Sequence, residues 1–96
     1  MSAYVLVNVR ASDGSAEMAE YSRTFPATLE PYGGRFVVRG GDIDVREGNW
    51  DGTWLVVLEF PSLSRARQWY ESDAYRGAAA LRKGHADLDF LIVDGL

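Results

Sequence analysis

Apolar and polar residues alternate along the first ten residues of the chain, as the side chains of a β-strand do. One side of residues 3–10 carries Val5, Val7 and Val9, and the other carries Tyr4, Leu6, Asn8 and Arg10. A period of two with β-branched residues predicts a strand. Because neither side is wholly polar, we expect both faces of this strand to be covered.

A helical spacing of three and four residues follows the first strand. The apolar positions at this spacing are Met18, Tyr21, Phe25, Leu29 and Tyr32. They predict an amphipathic helix over roughly residues 15–31, with several candidate N-caps in the loop 12–15. Pro26 lacks a backbone donor, so we expect a kink there. Gly33-Gly34 is typical of a helix C-terminus.

The middle of the chain predicts two strands joined by a turn. Residues 35–39 form the second strand, and Gly40-Gly41 interrupts it, as at a bulge or a close approach by another group. Residues 43–47 alternate weakly, which leaves open whether they continue that strand. The Asp-Gly pair at 51–52 is a strong turn signal. Residues 53–60 form the third and most apolar strand, which we expect at the centre of the sheet.

Two serines divide the helical part of the second half. Ser62 is the predicted N-cap of one helix, and Ser72 is that of a second helix over approximately residues 73–83. Residues 88–93 form the last strand. The element order is therefore βαββαβ in a single domain, residues 1–96. That order predicts the α+β ferredoxin-like fold, a four-stranded antiparallel sheet in strand order 4-1-3-2 with helices on one face.

Charge and composition exclude several classes of function. The ten Lys and Arg and fourteen Asp and Glu residues give a net charge of −4 at pH 7, and no stretch is basic. We therefore expect neither nucleic acid nor a membrane as a partner. The absence of Cys excludes disulfides, thiolate nucleophiles and Cys-based zinc sites. The first residues lack a signal-peptide core, and the longest strongly apolar run is 54–58, so we expect a cytoplasmic location.

A series of short motifs runs in order through the chain. The motifs are Tyr21, Pro31-Tyr32-Gly33-Gly34-Arg35, Val38-Arg39-Gly40-Gly41, Glu47-Gly48-Asn49-Trp50, Val57-Leu58-Glu59-Phe60-Pro61-Ser62, Ala66, Trp69-Tyr70, Ser72, Tyr75 and Arg82. With this order and spacing the chain resembles the DUF1330 family from Ala3 to Leu96. That family consists of small proteins of unassigned function in the dimeric α+β barrel superfamily. The resemblance implies a homodimer whose two sheets pack face to face, with the helices outside.

The predicted fold independently requires a partner for one face of its sheet. Helices cover only one face, and an apolar second face pairs most simply with a symmetric copy of the same chain. The candidates for this interface are Tyr4, Leu6, Val37, Leu55 and Val57. Trp50 is a large indole beside a polar turn, and it contacts the partner subunit, packs at the mouth of a pocket or covers its own hairpin.

Three polar side chains are expected together in the lumen of the dimer. Alternation along the strands places Arg39 and Glu59 on one face, and Asn8 joins them from the first strand. In one interpretation they orient an oxygenated ligand and Glu59 takes a proton, so that Glu59 and Arg39 are the candidate catalytic residues. In the other, Arg39 and Glu59 form an ion pair that sets the register of neighbouring strands.

Aromatic side chains supply the predicted walls of a pocket between the sheet and the helices. Tyr21 is a candidate because a buried phenol needs a hydrogen-bond partner. Trp69 and Tyr75 lie around the break between the two later helices, where the helix start at Ser72 offers free amides to an anion. The alternative for these aromatic residues is ordinary core packing. His85, the only histidine, is expected at the surface, since one His with scattered carboxylates is poor support for a metal site.

Two functions of different classes remain open. The first is binding of a small organic molecule, with or without catalysis, by Asn8, Tyr21, Arg39, Glu59, Trp69 and Tyr75. The resemblance adds that superfamily relatives include cofactor-free monooxygenases, and we expect neither a cofactor nor a metal here. The second is a dimerisation or binding module without chemistry. No phosphate loop, dinucleotide fingerprint or Ser/His/Asp set is present, and the sequence names neither a substrate nor a reaction.

Overall fold

Four antiparallel strands form one sheet, and helices pack on one of its faces. The structure is a computed structural model that describes residues 1–96. The strands are β1 (Ala3–Ser12), β2 (Arg35–Arg39), β3 (Trp54–Phe60) and β4 (Ala86–Asp94), and the helices are α1 (Ala16–Thr24), α2 (Leu63–Glu71) and α3 (Asp73–Arg82). The strands lie in the order β2-β3-β1-β4. This is the predicted order, and it confirms the ferredoxin-like fold.

The first helical segment is divided, whereas the sequence predicted one kinked helix. Ser15 caps α1 by accepting a hydrogen bond from a backbone amide of the first turn. The α-helix ends at Thr24, and two 3₁₀ turns follow, Phe25–Thr28 and Glu30–Tyr32. The prediction of one helix over residues 15–31 is therefore wrong beyond Thr24. Pro26 removes an α-helical donor, and the chain continues in the tighter 3₁₀ geometry.

Glycines with positive φ turn the chain at the ends of two elements. Gly33, with φ of 73°, ends the helical segment as predicted. Gly40, with φ of 65°, follows β2, and its amide donates to the Leu55 carbonyl at 2.9 Å. Beyond Gly40 the chain leaves the sheet, and residues 43–47 are exposed and form no strand. These residues therefore do not continue β2.

Two serine caps set the corner between α2 and α3. The Ser62 and Ser72 hydroxyls each accept a hydrogen bond from the amide three residues later, at 3.1 and 3.2 Å. Both predicted caps are confirmed. The Ser72 hydroxyl also donates to the Trp69 carbonyl at 2.7 Å, which joins the end of α2 to the start of α3. None of the helices is long and apolar enough to cross a membrane.

The core lies between the helices and the inner face of the sheet. Its fully enclosed large side chains are Trp69, Tyr75, Phe60, Leu58 and Val5. The indole Nε1 of Trp69 donates to the Thr28 hydroxyl at 2.9 Å. This bond ties the first helical segment to α2, and it satisfies the polar atom of an otherwise apolar buried ring.

The outer face of the sheet carries apolar side chains that no element of the chain covers. Leu6, Val57 and Leu91 lie side by side on β1, β3 and β4. Leu91 is 57% exposed and neighbouring Val93 is 49% exposed. Contiguous apolar surface of this kind is rare on a monomeric protein, which makes this face a candidate contact surface.

A β-bulge in β2 changes which residues join that outer face. The register between β2 and β3 shifts between Phe36 and Val38, so that Val38 pairs with Val57. Val37 lies within the bulge, and Val38 takes the position that alternation predicted for Val37. One extra residue in a strand reverses the faces of every residue after it.

Candidate functional site

A cavity of about 390 Å³ lies between the inner face of the sheet and α1. The sheet lines it with Val7, Val9, Val56, Leu58, Leu88 and Phe90. The first helical segment lines it with Met18, Tyr21, Ser22 and Phe25, and the remaining lining residues are Ser12, Thr53, Trp54 and Trp69. A mainly apolar lining with a few hydroxyl groups is typical of a site for a small organic molecule.

Tyr21 connects the cavity to a buried polar cluster. Its hydroxyl lies 2.8 Å from the Tyr75 hydroxyl, and Arg82 donates through Nη2 to the Tyr75 hydroxyl at 3.4 Å. Burial raises the pKa of both phenols above the ordinary value of 10. Both phenols therefore stay protonated at neutral pH, and each can donate one hydrogen bond and accept others.

Arg82 is the charged member of this cluster and is only 9% exposed. It forms no salt bridge, and its Nε has no hydrogen-bond partner. Its guanidinium carbon lies 5.7 Å from the centroid of the Tyr21 ring and 5.4 Å from that of the Phe90 ring. Both rings line the cavity, so the charge lies directly behind the cavity wall.

Sequence reasoning did not select Arg82 as a site residue, although a signal was present. Tyr75, Ala78, Ala79 and Arg82 are spaced i, i+3, i+4 and i+7, and all four are buried on α3. A charged residue in the apolar stripe of a short helix is buried on the same side as its neighbours. That position distinguishes Arg82 from the exposed Arg76 of the same helix.

The structure divides the six predicted ligand-binding residues between two faces of the sheet. Tyr21 and Trp69 line the cavity, and Tyr75 contacts Tyr21 from behind. Asn8 and Glu59 lie on the outer face, on the same sides of β1 and β3 as Leu6 and Val57. The aromatic candidates are therefore brought together, and Asn8 and Glu59 are not brought to them.

Arg39 and Glu59 do not form the predicted pair. Arg39 follows the bulge, pairs with Val56 of β3, and stacks its guanidinium carbon 4.3 Å from the centroid of the Phe36 ring on the helix side of the sheet. The prediction that Arg39 shares the outer face with Glu59 is wrong, because the bulge reverses the alternation from which it was made. Glu59 instead forms an ion pair with Arg35, directly opposite on β2.

Glu59 is held as a carboxylate by several donors. A hydrogen bond with Ser2, then the bonds from Arg35 and Tyr4, lower the pKa of Glu59 below its ordinary value. The Tyr4 hydroxyl donates to Oε2 at 3.2 Å. A carboxylate that is stabilised in its charged form is a weak proton acceptor, so the geometry favours the structural interpretation of Glu59 over the catalytic one.

Asn8 lies at the other end of the outer face, beside a group of charged residues. Its amide Nδ2 donates to Asp51 at 3.2 Å. The neighbouring Arg10 donates to Asp89 at 2.6 Å and to Asp87 at 2.9 Å. Trp50, half exposed, lies close to Asn8 across Gly52. This polar group borders the apolar centre of the outer face and is separate from the cavity.

His85 is paired with two carboxylates at the surface. Its Nδ1 lies 2.6 Å from Asp13 and its Nε2 lies 3.3 Å from Glu17. The hydrogen bond with Asp13 raises the pKa of His85 above its ordinary value of 6.5. Hydrogen bonds from Ser15 and His85 lower the pKa of Asp13 to about 2. These contacts join the loop before α1 to the loop before β4.

The strand order, the helices on one face and the cavity under α1 define the class as α+β ferredoxin-like proteins. A family described as a domain of unknown function, DUF1330, matches residues 2–96. The chain belongs to this family, which confirms the resemblance found in the sequence. Comparison with curated proteins finds no match.

Several solved structures share the fold. A protein of unknown function from Rhodopseudomonas palustris is 20% identical with a TM-score of 0.74, covering 99% of this chain and 82% of that one. A dimeric ferredoxin-like protein of unknown function from Jannaschia sp. CCS1 is 14% identical with a TM-score of 0.63, covering 100% and 99%. SnoaB, a cofactor-independent oxygenase from Streptomyces nogalater, is 13% identical with a TM-score of 0.59, covering 99% and 91%. At these identities the similarity establishes the fold alone.

Proposed function

We propose that each subunit binds a small, mainly apolar organic molecule in the cavity between the sheet and α1. The observation that carries this proposal is the cavity itself, whose volume of about 390 Å³ falls within the range of roughly 300–1,000 Å³ that ligand pockets occupy. Its wall combines apolar strand residues with the rings of Tyr21, Phe25, Trp69 and Phe90. These rings favour a flat or aromatic ligand.

We propose further that the outer face of the sheet is covered by a second copy of the chain. The apolar row formed by Leu6, Val57 and Leu91 supports this proposal, and so does the dimeric state of the Jannaschia protein that shares the fold. Packing two such faces removes apolar area from water at roughly 25 cal/mol per Å². The cavity lies on the opposite side of the sheet, so the two proposals are tested separately.

Filling the cavity tests the binding proposal. Thermal shift and NMR line-broadening are measured with a panel of phenols, quinones and aromatic acids. We expect at least one of these compounds to bind the natural protein and to lose binding in Val9→Phe, which places a ring in the cavity. Val9→Ile adds a single methylene at the same position and serves as the matched control. If no compound binds a folded dimer, the protein is better described as a dimerisation module without chemistry.

Oxygenation is the first reaction to assay with any compound that binds, because SnoaB, which shares the fold, is a cofactor-independent oxygenase. Oxygen uptake is followed without added metal or cofactor. The Val9→Phe protein provides the blank once circular dichroism shows that it is folded, since the added ring removes the space for the ligand.

Introducing a charge on the outer face of the sheet tests whether two copies of the chain pair through that face. Leu91→Asp places a carboxylate in the apolar row, and we expect this protein to sediment as a monomer at concentrations where the natural chain sediments as a dimer. Val45→Asp makes a similar change in the exposed loop after β2 and is the control. A natural chain that sediments as a folded monomer at micromolar concentration contradicts the proposal.

A further inference from the structure

Arg82 carries a buried positive charge that no carboxylate of the chain balances. Its side chain is nine-tenths buried, forms no salt bridge and makes a single hydrogen bond, to the Tyr75 hydroxyl at 3.4 Å. Its Nε is buried without a partner. Arginine is almost never fully buried unless it is paired, because the charge loses its hydration. Contact with the faces of the Tyr21 and Phe90 rings offsets part of that loss.

The hydrogen bonds lead from this charge toward the cavity. Arg82 has only donors, so the Tyr75 hydroxyl accepts from it. The bond between the Tyr75 and Tyr21 hydroxyls, 2.8 Å long, can have either phenol as its donor. When Tyr75 is the donor, Tyr21, which lines the cavity, keeps an O–H that the pair does not use. In that arrangement the chain of bonds offers a hydrogen-bond donor, backed by a positive charge, to a molecule in the cavity.

We propose that Tyr75 donates to Tyr21 when the cavity is occupied, and that the cavity selects an organic anion whose acidic oxygen, of a carboxylate or a phenolate, accepts the hydrogen bond of Tyr21. Arg82 acts as a positioning residue through Tyr75, since it does not itself line the cavity. The apolar and aromatic walls then hold the body of the anion. This inference rests on the proposed function, because it assigns a charge to the molecule that the cavity binds.

A titratable coloured phenol tests the inference. Para-nitrophenol changes colour when it ionises, so the apparent pKa of the bound probe is read by absorbance. We expect the natural protein to bind the phenolate about tenfold more tightly than the phenol, which lowers the apparent pKa of the probe by about one unit. Tyr21→Phe removes the hydroxyl that is proposed to donate to the ligand, and it is expected to abolish this shift while the neutral probe still binds. Tyr32→Phe, outside the chain of hydrogen bonds, is expected to keep it.

Two further variants separate a positioning role of Arg82 from a structural one. Arg82→Met is expected to abolish the shift in the apparent pKa of the bound probe. Arg82→Lys keeps the charge and is expected to retain most of that shift. Tyr75→Phe keeps the charge and breaks its link to Tyr21, so we expect the shift to shrink, and this variant keeps the test decisive if Arg82→Met does not fold. A shift that is unchanged in both Tyr21→Phe and Tyr75→Phe overturns the inference.

A neutral probe of the same shape distinguishes failure of this inference from failure of the proposed function. If para-nitrotoluene and para-nitrophenolate bind the natural protein with equal affinity, the cavity binds ligands without selecting anions, and only this inference is overturned. If neither probe binds and the panel of phenols, quinones and aromatic acids also fails, the proposed function fails with it.

Discussion

Removing the hydroxyl of Tyr75 is expected to destabilise the protein more than removing that of Tyr21. Both substitutions, Tyr75→Phe and Tyr21→Phe, keep the ring and its packing. Tyr75 bonds to both Tyr21 and Arg82, whereas the Tyr21 hydroxyl bonds to Tyr75 alone. The two variants therefore lose different numbers of hydrogen bonds from the same buried cluster.

The magnitudes follow from which groups are left without a partner. Tyr21→Phe removes one neutral bond, worth about 1 kcal/mol, and leaves Tyr75 bonded to Arg82. Tyr75→Phe removes that bond and also the only hydrogen bond of a buried guanidinium, and bonds to charged groups contribute roughly 1.5–3 kcal/mol. The 3.4 Å length of the Arg82 bond favours the lower part of that range. We expect a loss of between about 2 and 3 kcal/mol for Tyr75→Phe.

Urea unfolding followed by circular dichroism measures both free energies, with every variant at the same protein concentration because a dimer gains stability with concentration. Tyr32→Phe is the control and is expected to change stability by less than about 0.5 kcal/mol. In the double variant the losses are not additive, since both substitutions remove the same bond. A Tyr21→Phe protein that is as unstable as Tyr75→Phe, or more so, refutes the assignment of the Arg82 bond to Tyr75.

Three further changes have expected outcomes. The pKa of His85, followed by the resonance of this single histidine, is expected to lie above 6.5 in the folded protein. The pairing of His85 with Asp13 stabilises the fold fully below pH 6.5, and this stabilisation is lost as the pH rises through the folded-state pKa. His85→Gln is expected to remove this pH dependence from the melting curves. Gly40→Ala is expected to lower the melting temperature, because φ is 65° and a Cβ would overlap an indole ring. Trp69→Phe loses the bond to Thr28, and a double-mutant cycle with Thr28→Val is expected to show coupling of about 1 kcal/mol.

Each of these measurements has a result that contradicts its reasoning. A His85 resonance that titrates at or below 6.5 shows that the carboxylate contacts do not hold in solution. An unchanged melting temperature in Gly40→Ala shows that the chain leaves β2 by another route. Additive losses at Trp69 and Thr28 show that the two side chains do not interact.

The elements and their order were predictable because they depend on local patterns. Alternation identified β1, and the serine caps at 62 and 72 identified α2 and α3. Element order then limited the sheet to few arrangements, and the correct strand order followed. Element ends were less well predicted, since Pro26 ends α1 in favour of 3₁₀ turns, and β4 begins at Ala86 instead of residue 88.

The candidate site was predictable only in part. Tyr21 and Trp69 were selected as aromatic residues at helical positions, and both line the cavity. Arg82 was missed because a charged residue near a helix end is ordinarily solvated, and its burial depends on how α3 packs against Phe90 and Tyr21. Whether these residues bind a ligand stays a prediction for the experiments above.

The sequence by itself determined the order of the secondary-structure elements, the ferredoxin-like topology and the family, because periodicity, caps and motif order are properties of neighbouring residues. Only the tertiary structure decided which charges meet. One bulged residue in β2 moved Arg39 to the helix side of the sheet, and the antiparallel register of β2 and β3 placed Arg35 opposite Glu59. The physical reason is that a side chain's face depends on the unbroken pairing of two strands, and a single-residue shift in that pairing leaves no signal in the alternation of either strand alone.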